Sequence, residues 1–307
     1  MANNHIAILM GTYQGENFIC QQFASILTQT HQAWSLWVSD DGSNDHTLAL
    51  LARFQRDSPR PVQVIEGPKN GFSRNFLSLL CNPQIQADFF CFADQDDIWY
   101  PDRLERALNW LCSQPESIPA LYCSRTRLVN ERGEHIGYSP LFGRTPGFAN
   151  ALVQNIGGGN TMVMNRAARE VLLQAGADVN VVSHDWWVYI VVAAVDGNIC
   201  YDPNPTLDYR QHGQNLIGAN QGWRPRFARL QLLLQGRFSD WNCRHLQALP
   251  RIEQHIPAHN RQTLRHFSSL RKTGLLLRLW NFKKSRLYRQ STLGNLALFM
   301  AVLMKRV

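Results

Sequence analysis

The sequence predicts an α/β fold, with a mostly parallel sheet covered by helices on both faces and a basic helical appendage at the C-terminal end. Three observations predict it. Over the first 120 residues, short apolar runs alternate with helix-period segments at the spacing of strand–helix–strand units. The carboxyl ends of those runs read GTYQGE, SDDGSNDHT, EGPKNGFSRN and ADQDDIW, and three of the four are rich in carboxylates, amides and glycine. In open α/β sheets that is where ligands bind. From Trp223 onward, Leu/Arg-rich amphipathic segments replace the alternation.

The elements follow in order. HIAILMG reads as the first strand, with a turn and a helix over Asn17–Leu27 after it. WSLWVSD is the second strand, followed by a polar turn and a helix over Thr47–Phe54. PVQVIEG is the third, and a Gly-containing loop leads from it to a helix over Arg74–Leu80. DFFCFAD is the fourth, after which Pro101 opens a helix over Asp102–Leu111, a position that suits proline. ALYCSRTRLV reads as a fifth strand. Periodicity then fades until about Gln154. A Gly-rich turn at 157–160, a short strand TMVM and a helix over Ala167–Gln174 come next. SHDWWVYIVVAAV reads as a buried helix opening near Ser183, and NICYD and TLDYRQH as closing strands. The expected division is a body over residues 1–220 and a basic amphipathic helical region over 221–307.

Composition bounds the function. The 307 residues are 45% hydrophobic and 18% charged, which supports a core and excludes disorder over the whole length. Seven cysteines, with no CxxC pair, argue against a zinc ribbon, a thioredoxin-type motif or a dense disulfide scaffold. Reduced thiols and a cytoplasmic location are expected. The first residues lack the basic start of a secretory signal, and no apolar run is long enough for a membrane-spanning helix. The net charge of +8 hides a division. Residues 221–307 hold 17 Lys and Arg against two acids, Asp240 and Glu253, whereas residues 1–220 are net acidic. The basic region is suited to an anionic membrane surface or another polyanion, and the competing reading is a helical subdomain that packs on the body.

Three constellations carry chemistry. Asp94, Asp96 and Asp97 place three carboxylates in four residues at a strand end. They repel unless a cation or a donor network compensates, and oxygen ligands of this kind suit Mg²⁺ or Mn²⁺. The competing reading is a solvated turn in which Asp97 or Asp102 caps the next helix. Asp40 and Asp41 end the second strand, where a carboxylate can accept hydrogen bonds from a base or ribose. Asn44 or Asp45 is available to cap the following helix. Thr12, Tyr13 and Glu16 end the first strand. Neither GxGxxG nor GxxxxGK[ST] occurs.

The segments IAILMGTYQGENFI, SLWVSDDGSNDHT, KNGFSRNF, FCFADQDDIWYPDRL, GGGNTMVMNR, SHDWW and YRQHGQNLIGA stand in the order seen in family 2 glycosyltransferases, over about residues 5–220. The chain most resembles the bacterial rhamnosyltransferase-like branch. The resemblance implies the nucleotide-diphospho-sugar transferase fold and an inverting, metal-dependent glycosyl transfer using Mg²⁺ or Mn²⁺. It implies a dTDP- or UDP-linked donor and a glycan or lipid-linked glycan acceptor, and the basic C-terminal region adds the expectation of a peripheral place on the inner face of the cell membrane. It matches Thr12, Tyr13 and Glu16 to the loop against base and ribose, Asp41 to the base-reading acid, and Asp40 to its neighbour. Asp94 and Asp96 match the DxD acids near ribose and metal, with Asp97 adjacent. Asp185 matches the catalytic base and His212 a position that reaches metal or pyrophosphate. One departure is Gly158-Gly159-Asn160, where relatives usually read GC or GA.

Ser183 as N-cap places Asp185 in the first helical turn, where the helix dipole favours a charged carboxylate. His184 reads as structural, Trp186 and Trp187 as core or acceptor wall, Lys69 and Arg74 as a solvated loop face or pyrophosphate contacts, and His212 as a structural histidine where it is not a ligand. Two other classes compete. A nucleotidyltransferase on a similar sheet would carry a Gly-rich phosphate loop after strand one, and GTYQGE is a poor one. A non-enzymatic polyanion-binding module would leave the acids of the body unexplained, and no nucleic-acid partner is expected.

Overall fold

The computed structural model describes residues 4–212 and 237–307. The expected boundary at 220 lies outside the described residues. Strands β1 (Ile6–Thr12), β2 (Trp34–Asp40) and β3 (Val62–Glu66) alternate with α1 (Ile19–Leu27), α2 (Thr47–Asp57) and α3 (Phe72–Leu80). β4 (Phe89–Ala93), a short β5 (Ile98–Trp99) and α4 (Arg103–Leu111) follow. Then come β6 (Ala120–Ser124), β7 (Arg127–Val129), β8 (His135–Tyr138) and α5 (Phe148–Ala151). A 3-10 turn at Gly159–Thr161 leads to β9 (Val163–Asn165), α6 (Arg166–Ala175), α7 (His184–Ala194), β10 (Asn198–Asp202) and β11 (Leu207–Arg210). The C-terminal part holds α8 (Arg237–Ala248), a 3-10 segment Leu249–His255, α9 (Ala258–Ser269), α10 (Leu275–Ser285) and α11 (Thr292–Leu303).

The main sheet has the order β10-β6-β9-β4-β1-β2-β3. Every pair is parallel except those of β9, which runs antiparallel to both β4 and β6. The chain moves outward from β1 to β3 and returns to the other side of β1 with β4. That reversal leaves a crevice at the carboxyl ends of β1 and β4, the place where such sheets bind ligands. Register puts Thr12 level with Asp40 and Met10 level with Ala93. The strand ends that carry the acids therefore lie side by side.

β1 and β4 are buried almost throughout because helices cover both faces. Leu9, Phe76, Phe92, Leu172 and Trp187 belong to the apolar cluster on one face. Ile8, Phe23, Leu36, Leu104 and Leu108 belong to the other. All eleven residues of α7 are buried, as expected of a helix enclosed on every side. The C-terminal helices join that enclosure: Phe238, Leu249, Ile252, Phe267 and Val302 share the cluster of Trp187.

The sequence-level elements recur within a few residues, with three differences. ALYCSRTRLV is two strands, β6 in the main sheet and β7 in a second sheet of order β5-β11-β7-β8, broken at Arg125 and Thr126. β5 and β8 are additional to the expected strands. TMVM is shifted, with Thr161 in the 3-10 turn and the strand running from Val163 to Asn165. Among the described residues no helix is long and apolar enough to cross a membrane.

Candidate active site

The crevice is built from four short segments. After β1, Thr12 is buried and its hydroxyl donates to Asp40 Oδ2 at 2.8 Å. Asp40 also accepts from the backbone N–H of Gly42 (3.1 Å) and Ser43 (2.7 Å) and from the Ser43 hydroxyl (2.7 Å). Its carboxylate is therefore engaged in shaping the turn after β2. Asp41 reaches the next loop, where Oδ1 accepts from Lys69 N at 2.6 Å and Oδ2 from Gly71 N at 2.9 Å. Gly71 has φ +81°, a conformation that glycine adopts without strain. Tyr13 is exposed beside this turn, and Glu16 accepts from both the backbone and the ring of His46. The His46 backbone N–H and then its ring hold Glu16 below the usual carboxylate range. Asp45, not Asn44, accepts from Thr47 N at the start of α2.

Gln95 ties the first segment to the third. Its side chain accepts from Tyr13 N at 2.9 Å and donates to Tyr13 O at 2.8 Å. A Cβ at Gly15 would strike the same amide, so any larger residue there would displace the Gln95 side chain.

The acids after β4 face in different directions. Asp97 is fully buried, and Oδ2 accepts from Asn160 Nδ2 at 2.5 Å while Oδ1 has no partner. Burial first, then Asp94 and Asp96, push its carboxyl well above the ordinary range. Asp94 makes no hydrogen bond among the described residues. Burial, then the charges of Asp96 and Asp185, lift it to about 8. Asp96 Oδ2 is 2.6 Å from His212 Nε2. Neighbouring Arg210 donates to Asp96 O at 3.0 Å and to Gln21 Oε1 at 2.6 Å, and its guanidinium lies over Phe18. The compensating cation is Arg103, buried over the Trp99 ring at 3.6 Å and donating to Asn160 O at 2.6 Å. Asn160 thus touches Asp97 with its amide and Arg103 with its carbonyl. Asp102 makes no capping bond to α4.

Asp185 stands in the first turn of α7. Ser183 occupies the N-cap position in extended conformation, but its hydroxyl makes no cap bond. Asp185 Oδ1 accepts from Trp186 N at 2.7 Å and Oδ2 from Asn155 Nδ2 at 3.0 Å. His184 turns the other way. Its ring stacks on Phe76 at 4.1 Å and meets Phe92 edge-on, and neither nitrogen has a partner. Burial lowers it to about 4. A Cβ at Gly159 would collide with His184 Nε2. Trp186 and Trp187 are core. Lys69 pairs with Glu66, and Arg74 donates to the carbonyl of Ala177, so neither reaches freely into the crevice.

Asp94, Asp96, Asp97 and Asp185 are therefore brought together on one side of the crevice, and Thr12, Tyr13, Glu16, Asp40 and Asp41 on the other. Gln95, Asn155, Arg103 and Arg210 are the site residues that sequence reading missed. Gln95 lay inside the acidic motif, masked by its neighbours. A buried arginine such as Arg103 reads in sequence like any helix-surface cation. Among the described residues no three His, Cys, Asp or Glu side chains converge closely enough to hold a metal ion by themselves.

Comparison with known proteins agrees with this architecture. The dTDP-rhamnosyl transferase RfbG of Shigella flexneri is 28% identical over 238 residues, 73% of this chain and 78% of that protein. The UDP-Glc:alpha-D-GlcNAc-diphosphoundecaprenol beta-1,3-glucosyltransferase WfgD of Escherichia coli is 30% identical over 106 residues, 34% of this chain and 40% of that protein. Two solved structures share the fold. TarS of S. aureus in complex with UDP-GlcNAc has a TM-score of 0.53 at 15% identity, covering 92% of this chain and 89% of that one. The mannosyltransferase PcManGT from Pyrobaculum calidifontis in complex with GDP-Man and Mn²⁺ has 0.52 at 16%, covering 98% and 86%. Residues 7–172, more than half of the chain and the part that carries the acids after β1, β2 and β4, match Glycosyl transferase family 2, and the protein belongs to that family of enzymes.

Proposed function

We propose that the enzyme transfers a sugar, rhamnose first among the candidates, from a nucleotide-diphosphate donor to a surface-glycan acceptor with inversion, using Mg²⁺ or Mn²⁺. The observation that carries this reading is the crowding of Asp94, Asp96 and Asp185 at the β1/β4 crevice, where burial first and then the charges of the other two acids lift Asp94 to about 8. Arg103 is the buried cation beside these acids, and the orphaned Oδ1 of Asp97 adds to the excess. Such a donor set fits a hard divalent cation. Because no three ligands converge among the described residues, Asp94 and Asp96, with His212 behind Asp96, would hold it together with donor phosphates, the habit of Mg²⁺ and Mn²⁺. A cation there supplies charge neutralisation for the leaving nucleoside diphosphate.

The remaining work falls to the chain itself. Thr12, Tyr13, Glu16, Asp40 and Asp41 frame the base and ribose pocket. In that frame Asp40 sets the turn and Asp41 holds the 69–71 loop in place. Asp185 takes the proton from the attacking hydroxyl. Asn155 and the Trp186 N–H fix its carboxylate, so one orientation faces the acceptor. The relatives' names favour a deoxythymidine diphosphate donor and a lipid-linked acceptor. That acceptor places the enzyme peripherally on the inner face of the membrane, with residues 1–220 catalytic and the basic region 221–307 on the membrane side. Turnover across a panel of dTDP-, UDP- and GDP-sugars, with and without EDTA, tests the reading. Full activity in EDTA, or release of nucleotide from none of the donors, would reject it.

A further inference from the structure

The C-terminal helices divide into two kinds. α8, the 3-10 segment and α9 pack on the body: Arg251 pairs with Asp178 and donates to Ala175 O, and Asn260 donates to the carbonyls of Ala193 and Ala194. α10 is arranged the other way round. Its buried residues are polar. Arg278 donates to the carbonyls of Val302 and Leu303 and of Thr273, Asn281 Oδ1 accepts from His266 Nδ1 at 2.8 Å, and the Ser285 hydroxyl donates to Phe282 O. Its exposed residues are apolar: Leu275, Leu276, Leu277 and Trp280, with Leu276 at 84% exposure. A helix that packs on a protein in water presents the opposite pattern. α11, which contacts α10, buries Leu298, Ala301 and Val302 and exposes Leu293, Leu296, Phe299 and Met300. Spacings of three and four residues put that second set on one outward face.

We propose that this outward face of α10 and α11 is a docking surface for an anionic lipid bilayer. The charge around it decides between occupants. Residues 254–307 hold eleven Lys and Arg and no acid. Lys283, Lys284 and Arg286 are exposed at the end of α10, and Lys305 and Arg306 after α11. A second copy of this chain would bring the same charges against them, whereas anionic headgroups complement them. Lys284 lies 5.7 Å from the Trp280 ring, and Trp with Lys is a pairing suited to the water–lipid boundary. Eleven and twelve residues are too few to span a bilayer, so the helices lie in its plane.

The surface is joined to the reaction. The α10–α11 connection is strapped to residues 144–154: Asn150 Nδ2 donates to Tyr288 O at 3.0 Å, Gln290 N to Gln154 Oε1 at 2.8 Å, and Arg144 N to Gln290 Oε1 at 3.0 Å. The next residue is Asn155, which holds Asp185. Docking would thus bring lipid headgroups beside the loop that orients the proposed base. The inference deepens the membrane-side reading above and rests on it for placement, but its test reads vesicle binding and so fails separately from sugar transfer.

Sedimentation of the whole protein with phosphatidylglycerol/phosphatidylcholine vesicles at physiological salt should exceed that with phosphatidylcholine alone by roughly tenfold. Leu276→Glu with Leu296→Glu, both on exposed positions, should remove most of that binding with an unchanged melting temperature and unchanged donor hydrolysis. Lys283→Glu with Lys284→Glu should weaken binding and flatten its salt dependence. Equal binding to neutral and anionic vesicles, or binding indifferent to the Leu276 and Leu296 changes, would overturn the proposal. So would a dimer in solution that these changes dissociate, since a second copy would then be the occupant.

Discussion

Asn155 Nδ2 lies 3.0 Å from Asp185 Oδ2, while the other oxygen of Asp185 accepts from the N–H of Trp186 in the same helical turn. One bond comes from the helix that carries the acid and one from a loop outside it, so the carboxylate is oriented by both. Asp185→Asn keeps the size and loses the basic oxygen. Turnover should fall by about 10²–10⁴-fold with donor affinity and melting temperature nearly unchanged. A variant that kept its kcat but melted lower would assign Asp185 to the stability of α7.

Asp96 connects the metal reading to His212. Asp96→Ala should abolish Mn²⁺- or Mg²⁺-dependent transfer, and it removes a contact of His212 at the same time. Activity titrations with each metal are the check, and a variant that responded to Mn²⁺ like the parent would take Asp96 out of the site.

Asp41 holds two backbone N–H groups of the 69–71 loop. Asp41→Ala should therefore loosen that loop and weaken nucleoside diphosphate binding by about 1.5–3 kcal/mol, the range for a hydrogen bond to a charged group. Calorimetry that returned the parental Kd would remove Asp41 from donor binding.

Asn160 is the amide that meets Asp97 in the interior. Asn160→Ala would leave Asp97 with no partner on either oxygen, at a cost of about 1–3 kcal/mol in unfolding experiments. An unchanged melting curve would show that Asp97 is protonated and indifferent to the contact.

His245 is buried against Trp186 and Trp187 with no partner on either nitrogen, and burial lowers it to about 4. His184 is lowered to about the same value. Between pH 4 and 6.5 the unfolded chain binds more protons at these positions than the folded one. Their contribution to stability is therefore fully present above pH 6.5 and is lost as the pH drops toward 4, while Asp94 and Asp97, held above the ordinary carboxylate range, slope the opposite way. Each group contributes a slope of up to about 1.4 kcal/mol per pH unit. The check is the difference between the parent and His245→Leu in denaturant unfolding from pH 4.5 to 7.5: the variant should gain stability relative to the parent as the pH falls. A difference that stayed constant with pH would count against His245.

The first four strands and their helices were legible because buried strands and helix faces have fixed periods, and because turn residues punctuate them. The acids of the crevice were legible for a related reason: a strand end needs no more than one or two acids for its turn, and Asp94, Asp96 and Asp97 exceed that. The second sheet was not legible. ALYCSRTRLV is one run of strand formers, and only tertiary pairing decides that Arg127 joins Asp208 while Ser124 joins Asp202. Nor could sequence divide the labour of adjacent acids. Asp40 faces its own turn and Asp41 the neighbouring loop, because successive side chains leave a strand in opposite directions. The faces of α10 were hidden as well, since a helical period shows two faces but not which one the body covers.

The strap between Arg144–Gln154 and Tyr288–Gln290 also sets a timetable. Its two halves are about 136–146 residues apart in the chain. At ribosomal rates of about 5–20 residues per second, the loop carrying Asn155 waits roughly 7–30 s after synthesis before its brace exists. During that interval the sheet can form and Asp185 can meet Trp186 N, but the loop that carries Asn155 lacks its outer brace, so a nascent chain stalled before Tyr288 should have its nucleotide crevice and a looser catalytic centre.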